Sequence, residues 1–242
     1  LRRKNIGVYL KQPIGAWMLG TTGLFGYHFF YFMALKNAPP VEAGLIAYMW
    51  PLLIVVGSAL LPGERLRWWH VAGAVAGLLG AVLLITGGKG LAGFKAEYTL
   101  GYVMAVLCAL TWSTYSILNR RFGNVPTDTV GGFCAVTAIL ATICHFAFET
   151  TVWPSGSLEW LCVIGLGLGP VGIAFFTWDY GTKHGDIQVL GAFSYAAPLI
   201  STILLIAFGK GEAILSAAIG CLLIVGGAVL ASKELLKRKG TS

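Results

Sequence analysis

The feature of this sequence that most constrains its fold is an internal repeat with an offset of 147 residues. The segment Ala-Tyr-Met-Trp-Pro-Leu at 47–52 recurs as Ser-Tyr-Ala-Ala-Pro-Leu at 194–199. At the same offset Phe29 matches Phe176, Lys36 matches Lys183, Gly73 matches Gly220, and 80–83 matches 227–230. A repeat of this length in an apolar chain is typical of transporters that are built from two related halves.

Composition places the chain in a membrane. Hydrophobic residues make up 57% of the 242 residues, only 11% are charged, and the mean hydropathy is +0.77. A soluble domain carries about 25% charged residues because its surface must stay hydrated. The apolar stretches are continuous, whereas the strands of a membrane β-barrel alternate over about 10 residues. The sequence therefore predicts an all-α membrane protein.

Eight apolar spans are long enough to cross a hydrocarbon core, which needs about 20 helical residues. They are predicted at 14–35, 41–61, 69–87, 100–118, 129–149, 159–181, 187–208 and 212–232. Short breaks that contain proline, glycine or polar residues separate them. Since no stretch is large enough for a soluble domain, residues 1–242 are expected to form a single transmembrane domain.

The positive charges orient this bundle of eight spans. If the N-terminal segment lies inside, 13 of the 17 Lys and Arg residues fall on the inner side. These are Arg2, Arg3, Lys4, Lys11, Arg65, Arg67, Arg120, Arg121, Lys183, Lys233, Lys237, Arg238 and Lys239, while Lys36, Lys89, Lys95 and Lys210 fall outside. The positive-inside rule then predicts an inner (plasma) membrane protein with both termini in the cytoplasm. The bias accounts for the net charge of +7, so no nucleic-acid partner is expected.

The two copies of the repeat are predicted to run in opposite directions. The Pro51 helix is the second span and the Pro198 helix the seventh, so the chain crosses the membrane an odd number of times, five, in passing from one to the other, and this gives inverted-repeat topology. The second copy, 100–233, begins with two helices whose counterparts would precede residue 1. We therefore expect the first copy, 1–87, to lack its first two helices, and the intact protein to have ten.

A family resemblance rests on the run from Tyr31 through "ALKNAPPVEAGLIAYMWPLLIVVGSALLPGERL" to "GAVAGLLGAVLL". An apolar helix that ends in Ala-Leu-Lys, a proline within the next helix and a Gly-Glu-Arg turn resemble the EamA repeat of the drug/metabolite transporter superfamily. The second copy departs from it, with Gly-Thr-Lys at 181–183 and Gly-Glu-Ala at 211–213. The motifs Tyr48-x-Trp50-Pro51 and Tyr27-His28-x-x-Tyr31 resemble the aromatic amino acid exporters of that superfamily.

Pro51 and Pro198 lie at matching positions within their spans. Each removes an amide donor and clashes with the carbonyl four residues earlier, so the carbonyls of Ala47 and Ser194 should be freed. Such open backbone is tolerated at depth only where it faces protein or a water-lined cavity. A simple packing kink is the alternative; the matching tyrosines three residues earlier favour a helix break that lines or gates a cavity.

Aromatic and hydroxyl side chains mark the wall of the predicted cavity. The candidate substrate-binding residues are Tyr27, His28, Tyr31, Tyr48, Trp50, Trp112, Ser113, Ser194 and Tyr195. Aromatic faces can stack on a ring and lie over an ammonium group. The hydroxyls and His28 can hydrogen-bond a carboxylate. Single aromatic residues can instead anchor helices at the membrane interface, as we expect for Trp17, Trp68, Trp69, Trp153 and Trp160.

Asp179 is the one acidic residue in the interior of a predicted span, whereas Glu42, Glu149, Glu159 and Glu212 lie at span edges. An ionisable group at that depth is a functional candidate, for example in proton coupling. Lys183 lies four residues on, which is the spacing of a helical ion pair. The sequence leaves the two interpretations open.

Catalytic and metal-binding patterns such as HExxH, GxSxG and CxxC are absent from the sequence, so neither an enzyme nor a cofactor is expected. We expect a secondary transporter that exports aromatic amino acids by alternating access; a broad exporter of drugs or other small metabolites is the alternative. Because every Lys and Arg lies at a span end or loop, a strongly anionic substrate is not expected. Glycines at 73, 77 and 80 and at 220, 226 and 227 are predicted to pack the two halves together, or to form a dimer seam. The protein is expected to be a monomer or a homodimer.

Overall fold

The computed structural model describes residues 11–88, 95–209 and 215–233, and in these ranges it contains helices and no strand. The first half comprises α1 (Ile14–Asn37), α2 (Pro40–Ala47), α3 (Trp50–Gly57) and α4 (Trp68–Thr86). The second comprises α5 (Thr99–Asn119), α6 (Val130–Phe148), α7 (Ser157–Leu168), α8 (Ala174–His184), α9 (Ile187–Phe193), α10 (Ala196–Ala207) and α11 (Leu215–Ala231). The chain termini and the loop cations Lys89 and Lys210 lie outside the described residues.

Six helical segments in the described ranges are long and apolar enough to cross a membrane. They are Pro40–Leu60, Trp68–Thr86, Ala96–Phe122, Thr127–Phe148, Ser157–His184 and Ile187–Leu204. Helix α1 has 24 residues but is not among the six, since several of its residues are glycine or polar aromatics. Helix α11 is apolar too, but its 17 described residues make it shorter than any of the six. The chain is thus a multi-pass helical protein, and the count of eight spans stays a prediction.

Both proline-containing spans are interrupted just before the proline. The first is interrupted at Tyr48 and Met49, between α2 and α3, and the second at Ser194 and Tyr195, between α9 and α10. The expectation of an open Ser194 carbonyl is wrong, because this carbonyl accepts a hydrogen bond from the Ala197 amide at 3.2 Å. A tighter turn takes up the acceptor that the proline leaves without an amide donor.

A third break, which the sequence analysis did not predict, divides α7 from α8. The segment Gly169–Ile173 is a π-helical turn that contains Pro170. Proline removes a donor from the regular ladder, and a wider turn lets the chain continue as a helix. This break brings Phe175, Trp178 and Asp179 inward on α8, where all three are buried or half-buried.

Helices α4 and α11 cross in close contact, as predicted for an internal role of the glycines. A Cβ atom built on Gly80 would lie 2.6 Å from the Gly220 carbonyl oxygen, and one on Gly73 would overlap the Gly227 carbonyl oxygen. Only glycine at these positions lets the two backbones approach so closely. The contact joins the last helix of the first half to the last helix of the second.

The core that positions the site lies between α1, α5, α6 and α8. Leu24, Trp112, Tyr115, Phe133 and Phe175 are all buried in it. Gly23 allows the close approach of α1 to α5, since a Cβ atom there would lie 2.5 Å from the Tyr115 ring. The helices are therefore held together by large aromatic side chains that pack against small residues.

Candidate functional site

An aromatic cluster surrounds Trp112 near the middle of α5. The Trp112 ring centroid lies 5.0 Å from that of Tyr27, 6.4 Å from that of Trp50, and 5.7 Å from those of Trp178 and Phe175. Trp50 also packs edge-on against Trp178 at 5.3 Å. Side chains from α1, α3, α5 and α8 thus meet at one point, with Trp112 only 6% exposed at its centre.

His28 and Tyr31 extend this cluster along α1. Tyr31 stacks on Tyr27 with a centroid distance of 6.1 Å, and His28 contacts Phe175 edge-on at 5.7 Å. His28 Nδ1 lies 2.7 Å from the Leu24 carbonyl oxygen. Since a carbonyl can only accept, Nδ1 carries a proton, and in the neutral ring Nε2 is left as an acceptor. Neutral His28 therefore presents an acceptor, not the carboxylate donor that we had expected.

A cavity of about 830 Å³ lies beside the cluster, between α1 and α6. It extends from the middle of both helices to the ends where Lys36 and Glu149 lie. Its α1 side is formed by Leu24, Phe25, His28, Phe29, Phe32, Met33 and Lys36, and Val171 and Phe175 contribute from the π-turn and α8. Its α6 side is formed by Cys134, Thr137, Ala138, Ala141, Thr142, Cys144, His145 and Phe148, with Glu149 just beyond.

The cavity is closed at the end where α1 and α6 begin. There Trp17 packs edge-on against Phe133 at 5.2 Å. A Cβ atom on Gly132 would lie 2.5 Å from the Trp17 ring, and one on Gly20 would overlap Phe133. The two helices are thus in contact at one end and apart at the other, so the space between them opens toward one side of the bundle.

The aromatic residues that the sequence singled out are mostly brought together, but not around the cavity itself. Among the predicted substrate-binding residues only His28 lines it. Tyr27, Tyr31, Trp50 and Trp112 form the aromatic cluster that supports His28 and Phe175 from behind. The aromatic residues that were predicted to form the cavity wall therefore lie in a second layer, behind the residues that line the cavity.

The other predicted site residues use their polar groups within the bundle. The Ser113 hydroxyl donates to the Ala109 carbonyl at 2.8 Å, and the Ser194 hydroxyl donates to the Leu190 carbonyl at 2.8 Å. Tyr195 is fully buried, and its hydroxyl accepts a hydrogen bond from the Leu52 amide at 3.2 Å. Tyr48 is half-buried and packs against the core cluster that contains Tyr195. In this conformation Ser113 and Ser194 donate their hydroxyl protons within their own helices, and the buried Tyr195 hydroxyl does not line the cavity.

Two sets of cavity residues were missed, although each leaves a signal in the sequence. Phe25, Phe29 and Phe32 lie with His28 at helical spacing on one face of α1. On α6, weakly polar residues at Cys134, Thr137 and beyond repeat every three or four positions and end at His145.

Asp179 lies at the centre of a buried polar cluster at the closed end of the bundle. Its carboxylate accepts hydrogen bonds from Asn119 Nδ2 at 2.9 Å and Thr127 Oγ1 at 2.7 Å. Lys183 Nζ lies 2.9 Å from Asp179 Oδ2, forms an ion pair with it, and also donates to the Val125 carbonyl at 3.0 Å. The spacing of four residues on α8 thus gives a buried ion pair, and its partners come from α5 and from the segment that leads into α6.

Arg120 connects the two halves at the same end. Its Nη2 lies 2.8 Å from Glu64 Oε1 on the turn between α3 and α4. Its Nη1 donates to the carbonyls of Thr182 and Gly185, at 3.1 and 2.6 Å. One guanidinium therefore binds a carboxylate of the first half and the carboxyl end of α8 in the second, where a positive charge is favourable.

The part of the chain that the structure describes contains no group of side chains that could bind a metal ion. There, no three His, Cys, Asp or Glu side chains are grouped closely enough to hold an ion. The five cysteines are all free thiols.

The sequence is similar to a family of known transporters and to several of its members. The model of the EamA-like transporter family matches residues 4–86 and 99–233. The chain is 58% identical to the aromatic amino acid exporter YddG of Ancylobacter novellus over 95% of this chain and 79% of that protein. It is 25% identical to the YddG exporter of Salmonella typhimurium over 68% of this chain and 57% of that protein.

A more distant relative and a solved structure extend the comparison. The biotin transporter of Escherichia coli is 22% identical over 78% of this chain and 60% of that protein. A crystal structure with 57% sequence identity superimposes with a TM-score of 0.88 and covers 94% of this chain and 78% of its own. Since the family model covers most of the sequence, the protein belongs to the EamA-like transporter family and is a membrane transporter, not an enzyme.

Proposed function

We propose that this protein exports aromatic amino acids across the inner membrane. The observation that carries the proposal is the 58% identity, over nearly the whole chain, to an exporter of these substrates. The aromatic cluster around Trp112 supports it, because aromatic side chains bind aromatic rings with a preferred geometry. The cavity volume of about 830 Å³ is within the range of small-molecule sites.

The charges around the cavity suit a zwitterion. His28, Lys36, His145 and Glu149 line it and include groups of both signs. His28 Nε2 can accept a hydrogen bond from the substrate ammonium, while Lys36 can attract the carboxylate. The phenylalanines of α1 and α8 leave room for an apolar side chain between them. No cluster of cations within the cavity would compensate a phosphate, so a strongly anionic substrate is disfavoured.

Transport would proceed by alternating access between two inverted halves, 1–87 and 100–233. The two family-model matches, at 4–86 and 99–233, support this division. With both termini in the cytoplasm, the cavity opens outward. The Arg120–Glu64 ion pair and the Trp17–Phe133 contact then lie at the closed cytoplasmic end. The breaks before Pro51 and Pro198 supply places where the helices can bend.

A broad exporter of lipophilic drugs is the second candidate. The lining of the cavity favours it to some extent, because phenylalanines make up much of the wall. A lipophilic cation would gain from these rings but would leave Lys36 without an anionic partner. We therefore rank the amino acid above the lipophilic cation.

Transport measurements in proteoliposomes test the proposal. Labelled tryptophan should exchange across the membrane, and unlabelled phenylalanine and tyrosine should compete, whereas a lipophilic cation such as tetraphenylphosphonium should not. Trp112→Ala should lower tryptophan flux severalfold because the cluster loses its central ring. Trp153→Ala is the matched control, since Trp153 is exposed outside the core. Exchange of the cation without tryptophan would favour the drug exporter, and normal flux in Trp112→Ala would assign the cluster to packing.

A further inference from the structure

Two cationic side chains from distant parts of the sequence meet over one indole ring. The Arg67 guanidinium lies 5.0 Å from the Trp69 ring centroid, and Lys233 Nζ lies 5.3 Å from it. Arg67 precedes α4 and Lys233 follows α11. The close crossing of these helices at Gly73 and Gly227 holds the two cations together, so their proximity is fixed by the fold.

The Trp69 side chain also carries a donor that the protein does not satisfy. Its Nε1 is buried and has no hydrogen-bond partner among the described residues. A buried N–H group without an acceptor is costly, and native structures usually provide one. Lys233 has no carboxylate partner in the described part of the chain either. The Trp69 N–H group and the Lys233 ammonium group lie close together, and this favours the binding of an anion that can accept hydrogen bonds.

The position of this group coincides with a membrane interface. Trp68 and Trp69 are the first residues of a span that runs to Thr86, and Trp68 is exposed. Tryptophan at a span end lies at the level of the lipid headgroups. The first amides of α4 add the positive end of a helix dipole there. These side chains lie at the end of the bundle that is rich in Lys and Arg. In the proposed orientation this end faces the anionic cytoplasmic leaflet.

We propose that Arg67, Trp69 and Lys233 form a binding site for the phosphodiester headgroup of an anionic phospholipid. The guanidinium and the ammonium group bind the phosphate oxygens, and a small rotation of the indole lets Nε1 donate to the same headgroup. The acyl chains then lie along the exposed apolar face of α4, which includes Val75 and Leu79. The site is remote from the cavity, and its occupancy does not depend on which substrate is transported.

Native mass spectrometry of the purified protein tests this site directly. Phosphatidylglycerol should be retained in preference to phosphatidylcholine, which carries the same phosphate but no net charge. In Arg67→Gln/Lys233→Gln, retention of phosphatidylglycerol should fall by about tenfold or more, because each Lys or Arg near an anionic headgroup strengthens the binding of the lipid. Arg67→Lys/Lys233→Arg should retain the lipid because both charges remain. Trp69→Phe, which keeps the ring but removes the N–H donor, should show an intermediate loss.

The matched control removes two charges from the same end of the protein. Lys11→Gln/Arg121→Gln alters two exposed cations with no recorded contact to Trp69, and should retain phosphatidylglycerol as the unmodified protein does. Equal losses in the two glutamine double variants, or equal retention of the two lipids, would overturn the proposal. Displacement of phosphatidylglycerol by inorganic phosphate would assign the site to a soluble anion and contradict the lipid assignment.

Discussion

At the scale of single residues, the buried charge in this bundle is neutralised locally. Asp179 and Lys183 are both inaccessible to solvent, and Asn119 and Thr127 satisfy the carboxylate further. A buried pair of this kind contributes little net stability, yet breaking it is costly because one charge is left unpaired. A proton-coupling role for Asp179 would require the carboxylate to exchange these partners during the transport cycle.

Removal of one member of this pair should therefore destabilise the protein more than removal of both. Asp179→Asn leaves the Lys183 ammonium buried without a counter-ion and should cost about 3–5 kcal/mol. Asp179→Asn combined with Lys183→Met should recover most of that loss. Thermal unfolding in detergent, followed by tryptophan fluorescence, measures both variants.

The control for this comparison is the exposed pair Lys95–Glu97, whose nitrogen and oxygen lie 3.6 Å apart. Lys95→Gln should leave the unfolding temperature unchanged because exposed pairs are worth little. If the double variant at Asp179 and Lys183 were as unstable as the single one, the ion pair would not be the cause of the loss.

Residues whose role depends on local spacing could be predicted from the sequence, and residues whose role depends on packing could not. The four-residue spacing of Asp179 and Lys183 predicted an ion pair as one of two interpretations, and the structure contains this pair. Nothing local indicates that Tyr195 bonds to Leu52, since the two residues are 143 positions apart. Trp112 was predicted to line the cavity from its residue type and depth, but its place behind the cavity wall follows from neighbours on three other helices.

At the scale of elements, small residues decide which helices touch. The crossing of α4 and α11 depends on glycines in both helices. Gly73, Gly80, Gly220 and Gly227 were predictable as a packing face, because glycines recur at helical spacing in both copies of the repeat. The same prediction for Gly226 was wrong, since a Cβ atom there would have no neighbour within 4 Å. The π-turn at Gly169–Ile173 was not predicted, since a proline in a long apolar run is compatible with a kink, a π-turn or a break.

Two adjacent glycines on α11 allow a sharp test of this packing. A Cβ atom on Gly227 would overlap the Gly73 carbonyl oxygen, while one on Gly226 would have no neighbour within 4 Å. Gly227→Ala should destabilise the protein by about 1–3 kcal/mol through overpacking. Gly226→Ala should leave its stability unchanged or slightly increased, because alanine has the higher helix propensity. Equal unfolding temperatures for the two variants would contradict the assigned contact.

At the scale of the whole molecule, the two halves are in contact at both ends of the bundle, and only α1 and α6 separate toward one of them. Arg120 binds Glu64 across the halves, and Gln188 Nε2 donates to Ser58 Oγ at 3.0 Å nearby. The cavity lies toward the opposite end. This asymmetry could not be predicted from the repeat, because the matching residues of the two copies do not indicate at which end α1 and α6 separate.

Loss of the Arg120–Glu64 ion pair should open the closed end more often. Glu64→Gln should increase maleimide labelling of a cysteine placed at Ser58, which is fully buried in the present conformation. Arg121→Gln removes an exposed charge beside Arg120 and should leave labelling unchanged. If Glu64→Gln labels no faster than its parent, the ion pair does not hold this end closed.

In the proposed function, the space between α1 and α6 is an outward-facing site for aromatic amino acids. Cys144 lines it and provides a natural probe. In a variant with the other four cysteines replaced by alanine, a membrane-impermeant maleimide added outside right-side-out vesicles should modify Cys144. Tryptophan should slow that reaction, and glycine should not. An unreactive Cys144, or a reaction rate that tryptophan leaves unchanged, would contradict the account.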